Sequence, residues 1–418
     1  MKRLLLLIIL LSVLGLAKAQ NHRTCGTVTN QKALEAKYPD LKSKQDLQEK
    51  ELQKWIHNPK TQKDNDVIII PVVVHILYNN NYQNISDAQI QSQIDVLNRD
   101  YRRLNADTIN TPSLFDSVAA DVGIEFCFAH QDPNGNWTNG VTRTQTSKTI
   151  FDLYADDAKF TSQGGIDAWD RDKYYNIWVV PSIKAGTETG ILGYAQMPGG
   201  PPATDGVVVE FRYFGDTLNV SPPYDKGRTL THETGHWLSL YHIWGDDGYS
   251  CSGSDFVEDT PNQGGENYAC PSFPHPSCNN TSDMFMNYMD YTNDACMNMF
   301  TYGQKQRMIG VLNSSRASLK TSGMCQIVSI PETSTLEHVK IYPNPSSGNF
   351  VIDFSDIDLQ SDASVKVYNM MGQLVYSNTF SAHSAKEKIM IPNVDSGVYM
   401  LHIDTQESNI IKKIEVHK

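Results

Sequence analysis

Apolar and polar positions along this chain fall into blocks whose period changes several times. Lys2 and Arg3 precede an apolar run from Leu4 to Leu16, closed by Ala17-Lys18-Ala19. A basic start, an apolar core too short to span a bilayer comfortably and an A-x-A site predict a secretory signal peptide, residues 1–19, cut after Ala19. Residues 20–58 are polar and rich in Lys, Gln and Glu, with Asn58-Pro59 closing a weakly helical stretch. They read as a pro-segment or linker rather than a core. From Val67 to Tyr78 the run is β-branched and nearly continuous, which predicts a buried strand. Pro71 inside it points to an edge position or a bulge.

Ser86 with Gln89 three residues later is a capping-box signal. Ile90, Ile94, Leu97, Tyr101 and Leu104 then recur at helical spacing and predict an amphipathic helix. Apolar runs at 123–129, 175–180 and 206–211 predict further strands. The order strand, helix, strands, helix indicates an α/β or α+β domain. From Cys251 to Asn280 the chain is rich in Gly, Pro, Asp, Ser and Cys without any period, so something other than secondary structure must tie it down.

Past Cys325 the pattern shifts again. A polar linker, 326–338, contains Pro331. Residues 339–418 then carry short β-runs at 339–342, 349–354, 364–368, 374–376, 388–391, 398–403 and 411–416, separated by turn residues such as Asn344-Pro345 and Met371-Gly372. Such spacing predicts a small all-β sandwich. The expected organisation is therefore signal peptide 1–19, pro-segment 20–58, catalytic domain 59–325, linker 326–338 and β-sandwich 339–418.

Composition narrows the reading. At 418 residues the chain exceeds one ordinary core. A net charge of −12 argues against nucleic acid and anionic membranes as partners, and past the signal peptide no segment is long and apolar enough to span a membrane. Export permits disulfides. The seven cysteines are Cys25, Cys127, Cys251, Cys270, Cys278, Cys296 and Cys325. Four lie between 251 and 296, where a local disulfide pair is expected, and the odd total leaves at least one thiol to explain. Cys127 and Cys325 either pair with each other or stay as buried thiols.

The chemistry concentrates in His232-Glu233-Thr234-Gly235-His236. On a helix, residues i and i+4 share a face, so both imidazoles reach one cation and Glu233 points toward the same place. By itself the pentapeptide could merely decorate a solvated helix. His242, ten residues after His232, can supply a third imidazole where the chain turns back. Trp237, Leu238 and Leu240 make the helix apolar enough to be buried. Downstream, Asn287-Tyr288-Met289-Asp290-Tyr291 places a methionine where a turn below a three-histidine site would need one. Three imidazoles with an open position form the catalytic zinc arrangement, one ion per chain. Glu233 is then the catalytic base and Tyr291 a donor to the oxyanion. Two other readings compete: a zinc protease with a downstream Glu as third ligand, which His242 and Met289 oppose, and a non-catalytic surface-binding protein with a degenerate protease fold.

At HETGHWLSLYH (232–242), DFVEDTPNQ (255–263) and NYMDYTNDACMNMFTYGQKQRM (287–308), the chain resembles the pappalysin family of metzincin metalloproteases over roughly residues 67–325. The resemblance implies an α+β domain, with a mixed, twisted sheet and an active-site helix, and a secreted endopeptidase of extracellular proteins and peptides. It also implies disulfides Cys251–Cys278 and Cys270–Cys296, and one or two structural calcium ions in the cysteine-rich loop. Asp255, Asp259, Thr260 and the Val257 carbonyl offer hard oxygen ligands there. Family members prefer Arg, sometimes Lys, after the scissile bond, and Asp294 is the expected acidic pocket floor. One departure is Ser239, where the family carries Gly to relieve a positive φ.

The C-terminal YPNPSSGNFVI (342–352), VKVYNMMGQLV (365–375) and GVYMLHI (397–403) resemble the sorting domain of the type IX secretion system of Bacteroidetes. That implies a partner in the secretion machinery and an address that is removed or replaced by a lipopolysaccharide anchor, leaving a secreted or surface-attached protein; a substrate-binding β-module is the alternative. Finally, Cys25 lies in Arg23-Thr24-Cys25-Gly26-Thr27, well before the first core strand. A thiolate is a strong zinc ligand, so Cys25 is expected to cap the zinc in a latent zymogen, with Gly26 allowing close approach and cleavage between about 50 and 65 releasing it. A disulfide to Cys127 or Cys325, or an unpaired thiol of no consequence, are the alternatives.

Overall fold

In the computed structural model, which describes residues 22–58, 67–326, 339–355, 361–370, 372–381, 384–392, 394–405 and 409–417, the chain forms two units. One runs to Phe128 and from Val141 to Gly323; the other joins Ala129–Gly140 to Met324–Lys418. Residues 129–140, expected inside the catalytic domain, thus group with the C-terminal unit. The predicted signal peptide and linker residues 327–338 lie outside the described residues.

In the first unit, strands β1 (Ile68–Tyr78), β2 (Ile124–Phe128), β3 (Val141–Gln145), β4 (Tyr175–Val180), β5 (Gly193–Ala195) and β6 (Val207–Glu210) make one sheet. Its order is β2-β1-β4-β6-β5, with β3 also paired to β1. Every pairing is parallel except β5 on β6. Pro71 requires a correction: β1 is an interior strand, and its register to β2 runs through Pro71 opposite Cys127 without a bulge. The proline fits because pairing with β4 begins only at Val72, so β1 has a single hydrogen-bonded neighbour at that point.

Helix α3 (Asp87–Tyr101) starts where the capping signal places it, the Ser86 hydroxyl accepting from Gln89 N at 3.2 Å. It buries Ile90, Ile94, Leu97 and Tyr101 and stops before Leu104, which is exposed. Residues 22–58 are more structured than their polarity suggested. They form α1 (Thr27–Lys37) and α2 (Leu41–Ile56), with Leu34, Leu41 and Leu52 buried. Leu52 and Trp55 lie so close to α5 (Tyr302–Leu312) that a Cβ on Gly310 would fall 2.4 Å from Leu52 Cδ1. Helix α4 (Arg228–Trp237), with all ten residues buried, packs against α3, β5 and β6.

The irregular segment is stapled by Cys251–Cys278 and Cys270–Cys296, with Cα separations of 5.5 and 5.7 Å. Cys127 and Cys325 are also disulfide-bonded, and Cys25 is a free thiol. In the second unit all seven expected runs are strands: β7 (Lys340–Tyr342), β8 (Asn349–Asp353), β9 (Ala363–Asn369), β10 (Leu374–Phe380), β11 (Lys386–Met390), β12 (Gly397–Asp404) and β13 (Asn409–Val416). They form antiparallel sheets β7-β8-β11 and β10-β9-β12-β13 around one core containing Phe350, Ile352, Val365, Leu401 and Ile403. Trp137 packs its ring beside Tyr368 and His402, at centroid distances of 5.9 and 6.0 Å. Among the described residues, no helix is long and apolar enough to cross a membrane.

Candidate active site

One helical turn separates His232 from His236, and the chain reverses at Ser239 to bring His242 beside them. His236 Nε2 lies 3.1 Å from both His232 Nε2 and His242 Nε2. Each ring is fixed through its other nitrogen. His232 Nδ1 meets Tyr288 O at 2.7 Å, His236 Nδ1 meets Leu240 O at 2.8 Å, and His242 Nδ1 meets Asp246 Oδ1 at 2.8 Å. A carbonyl accepts only, so the first two rings carry their proton on Nδ1 and turn an Nε2 lone pair inward. Burial holds His232 well below the usual imidazole range and His236 down to about 3, so both are neutral.

Two inward lone pairs with a third imidazole nitrogen beside them make a seat for a cation. Cys25 completes the set: its Sγ and the three imidazole nitrogens all lie within 4.8 Å of one another, and all four residues are buried. Three imidazoles and a thiol suit zinc. Among the described residues, this is the group of His, Cys, Asp and Glu placed to hold a metal ion.

The floor explains several sequence choices. Met289 packs its thioether under α4, so a Cβ at Gly235 would lie 2.5 Å from Met289 Sδ. The turn that carries Met289 is closed by Met289 N donating to Asn287 Oδ1 at 2.9 Å. Trp237 stacks on Tyr175 at 3.9 Å and donates to Asp205 at 2.8 Å; Arg316 pairs with the same carboxylate at 2.7 Å. Ser239 does take a positive φ, 73°. The buried Arg307 guanidinium holds its carbonyl at 3.1 and 3.2 Å, and this bracing makes a non-glycine residue tolerable. Tyr291 borders the cluster, its ring 5.0 Å from that of His242 and 5.7 Å from that of His232.

On the open side, residues 23–27 lie along the edge strand β5. Gly26 N donates to Gly193 O at 2.8 Å, Leu192 N donates to Thr24 O at 2.9 Å, and Cys25 bridges Gly193 in parallel. A Cβ on Gly26 would stand 2.6 Å from Leu153 Cδ1, so a larger residue here would have to displace the Leu153 side chain. Glu233 Oε2 accepts from the Thr27 hydroxyl at 2.7 Å and from Cys25 Sγ at 3.4 Å. Burial pushes the Glu233 carboxyl up to about 7 against those hydrogen bonds, and burial with the Glu233 charge pushes the Cys25 thiol up. Asp294 is fully buried and paired with the Arg23 guanidinium.

Sequence reasoning did not single out Thr27, Arg23 or Asp246. The first two lie two residues either side of Cys25, which was the available signal. In the disulfide-bonded loop, Thr260 Oγ1 donates to Asp255 Oδ2 at 2.7 Å and lies 2.9 Å from Val257 O. Asp259 is not hydrogen-bonded to those three; its Oδ2 accepts from Gly303 N at 2.8 Å at the start of α5.

A mixed sheet, a buried helix bearing two of three converging histidines, and a methionine turn beneath them define a metallopeptidase of the metzincin type. The family described as Pregnancy-associated plasma protein-A, peptidase M43, matches residues 160–313, and a secretion-system C-terminal sorting domain matches residues 340–417. Mature mirolysin from Tannerella forsythia, solved with a cleaved peptide, is 54% identical, with 62% of this chain and 96% of that one covered at a TM-score of 0.58. A promirolysin variant from the same organism is 48% identical over 72% of this chain and 97% of its own, at 0.64. An extracellular metalloprotease of Arthroderma benhamiae is 30% identical over 257 residues, 60% of this chain and 79% of that protein. The chain belongs to the pappalysin, M43, family: it is a secreted metalloendopeptidase with a C-terminal sorting domain.

Proposed function

We propose that His232, His236 and His242 hold one zinc ion through Nε2 and that Glu233 is the general base for hydrolysis. The observation that carries this reading is the inward convergence of three imidazole Nε2 atoms beside a buried carboxylate. Zinc bound there acidifies a water and polarises a carbonyl. With Thr27 and Cys25 withdrawn, Glu233 Oε2 takes the proton of the attacking water and delivers it to the leaving amine. A substrate adds to the free edge of β5 as an extended strand, and Tyr291 borders the place where its scissile carbonyl lies.

The same reading makes residues 20–58 a pro-segment and the enzyme a latent zymogen. Cys25 supplies the fourth zinc ligand, and cleavage between about 50 and 65 releases it. Arg23 on Asp294 then stands in for the substrate Arg that follows the scissile bond, which supports a preference for Arg or Lys there. The promirolysin match, which spans more of this chain than the mature one, points the same way. Residues 339–418 carry the protein to the secretion machinery.

Glu233→Ala should keep zinc, measured by metal analysis, while casein hydrolysis drops by about 10²- to 10⁴-fold. His236→Ala should lose the zinc as well. Near-normal turnover in Glu233→Ala would overturn the mechanism.

We further propose calcium in the disulfide-bonded loop. Burial pushes Asp255 up to about 7 against the pull of Thr260, the Val257 N–H and Arg307, and Asp259 Oδ1 is buried without a hydrogen-bond partner, so a cation between them would relieve both. A calcium-selective chelator should lower the melting temperature by several degrees, about 1–2 kcal/mol, with zinc retained. An unchanged melting curve at micromolar free calcium removes the ion from the scheme.

A further inference from the structure

The Asp294 pocket has an asymmetry that bears on which cation it prefers. One carboxylate oxygen, Oδ2, is already engaged by the backbone N–H groups of Lys226 and Arg228, at 2.8 and 3.2 Å. Only Oδ1 is left for a guest, and Arg23 reaches it through one terminal nitrogen, Nη2. The two-pronged fork by which a carboxylate favours guanidinium over ammonium is therefore unavailable. A single carboxylate oxygen accepts from Lys as readily as from Arg.

What remains to separate them is Tyr224. The Arg23 guanidinium carbon lies 4.9 Å from the centre of the Tyr224 ring, and both side chains are buried. The ring is held from behind by Tyr213, edge-on at 6.1 Å, and its backbone N–H donates to Ser221 O at 3.2 Å. The Arg23 backbone also hydrogen-bonds the Tyr224 phenol. A planar, weakly hydrated guanidinium loses little on being sandwiched between a ring face and a carboxylate. An ammonium, compact and strongly hydrated, must shed water against that ring without gaining another hydrogen bond there. The unpartnered Arg23 Nε shows how far this pocket relies on the ring rather than on donors and acceptors.

We propose that Tyr224 is the specificity-determining residue that selects Arg over Lys after the scissile bond, whereas Asp294 selects for positive charge alone. This rests on reading the Asp294 pocket as the site for the residue after the scissile bond. The two claims separate experimentally. Two peptides differing only by Arg or Lys at that position are compared by kcat/KM on the activated enzyme. Tyr224→Leu should lower the Arg:Lys ratio by about tenfold, the size of a desolvated cation–π contact, with the loss falling on the Arg peptide; Tyr224→Phe should keep the ratio. Equal losses on both peptides make Tyr224 a plain wall and overturn the proposal, while the Asp294 reading stands. Asp294→Asn should abolish the preference for both cations over Gln; if it does not, the Asp294 reading itself falls. The precursor gives a second measurement independent of how Tyr224→Leu folds. Arg23→Lys keeps a cation for Asp294 but loses the flat face, so it should process itself several-fold faster than the parent. A precursor as latent as the parent counts equally against the ring.

Discussion

The two sides of the active-site helix draw their partners from different parts of the chain. Behind and below it, every contact comes from the body of the protease. Tyr288, Leu240 and Asp246 orient the three histidines, Tyr175, Asp205 and Arg316 hold Trp237, and Met289 fills the space under Gly235. On the cleft side the partners come from residues 22–58. Thr27 and Cys25 bond Glu233, Arg23 occupies Asp294, and Glu49 forms two 2.8 Å bonds with Arg307. Groups that orient the imidazoles are thus separate from those that block the reacting atoms. The two sets are linked through Arg307, which braces the Ser239 carbonyl and is held in turn by Glu49.

The strongest way to break this division is from below. Asp205 is buried and shared by Trp237 and Arg316, so Asp205→Ala leaves a buried cation without its partner. We expect a loss of about 3–5 kcal/mol in urea unfolding of the precursor. A loss under about 1 kcal/mol means that the cleft side, not the floor, holds the helix. From the other side, Cys25→Ala should leave fold and stability nearly intact and raise precursor activity by about tenfold or more, the worth of one strong contact. A variant that stays as latent as the parent excludes the thiol as the block. The smallest effect is expected at the junction of the two sides. Ser239 keeps a positive φ under the Arg307 brace, and Ser239→Gly should raise stability by about 1 kcal/mol with zinc content unchanged. If it lowers stability, the serine hydroxyl matters more than the strain.

What could be read along the chain is what has a local period or a fixed spacing. The run at 67–78, the helix after Ser86, the seven C-terminal strands, and His232, His236, His242 and Met289 all belong to that kind. Arg307 bracing Ser239 spans 68 positions and Arg23 meeting Asp294 spans 271, and no pattern of apolar and polar residues encodes such pairings. Pro71 misled because a strand inside a sheet can still have one unpaired side for a few residues. Residues 20–58 looked like linker because their helices bury only a few apolar side chains, Leu34, Leu41 and Leu52, and take much of their hold from polar contacts with the protease, such as those of the buried Thr27 and Asn30.

Under the proposed zymogen reading, the attachment of residues 22–58 to the body they cover would set how latency responds to dilution. While the peptide bond to β1 is intact, the segment faces the cleft at an effective concentration on the order of millimolar, however dilute the protein is. Once that bond is cut, the same contacts belong to two molecules, and their hold weakens as the mixture thins. Cleavage alone therefore does not set the activity. On that reading a crowded secreting surface would keep a nicked enzyme partly occupied by its own fragment, and diffusion into open medium would free it.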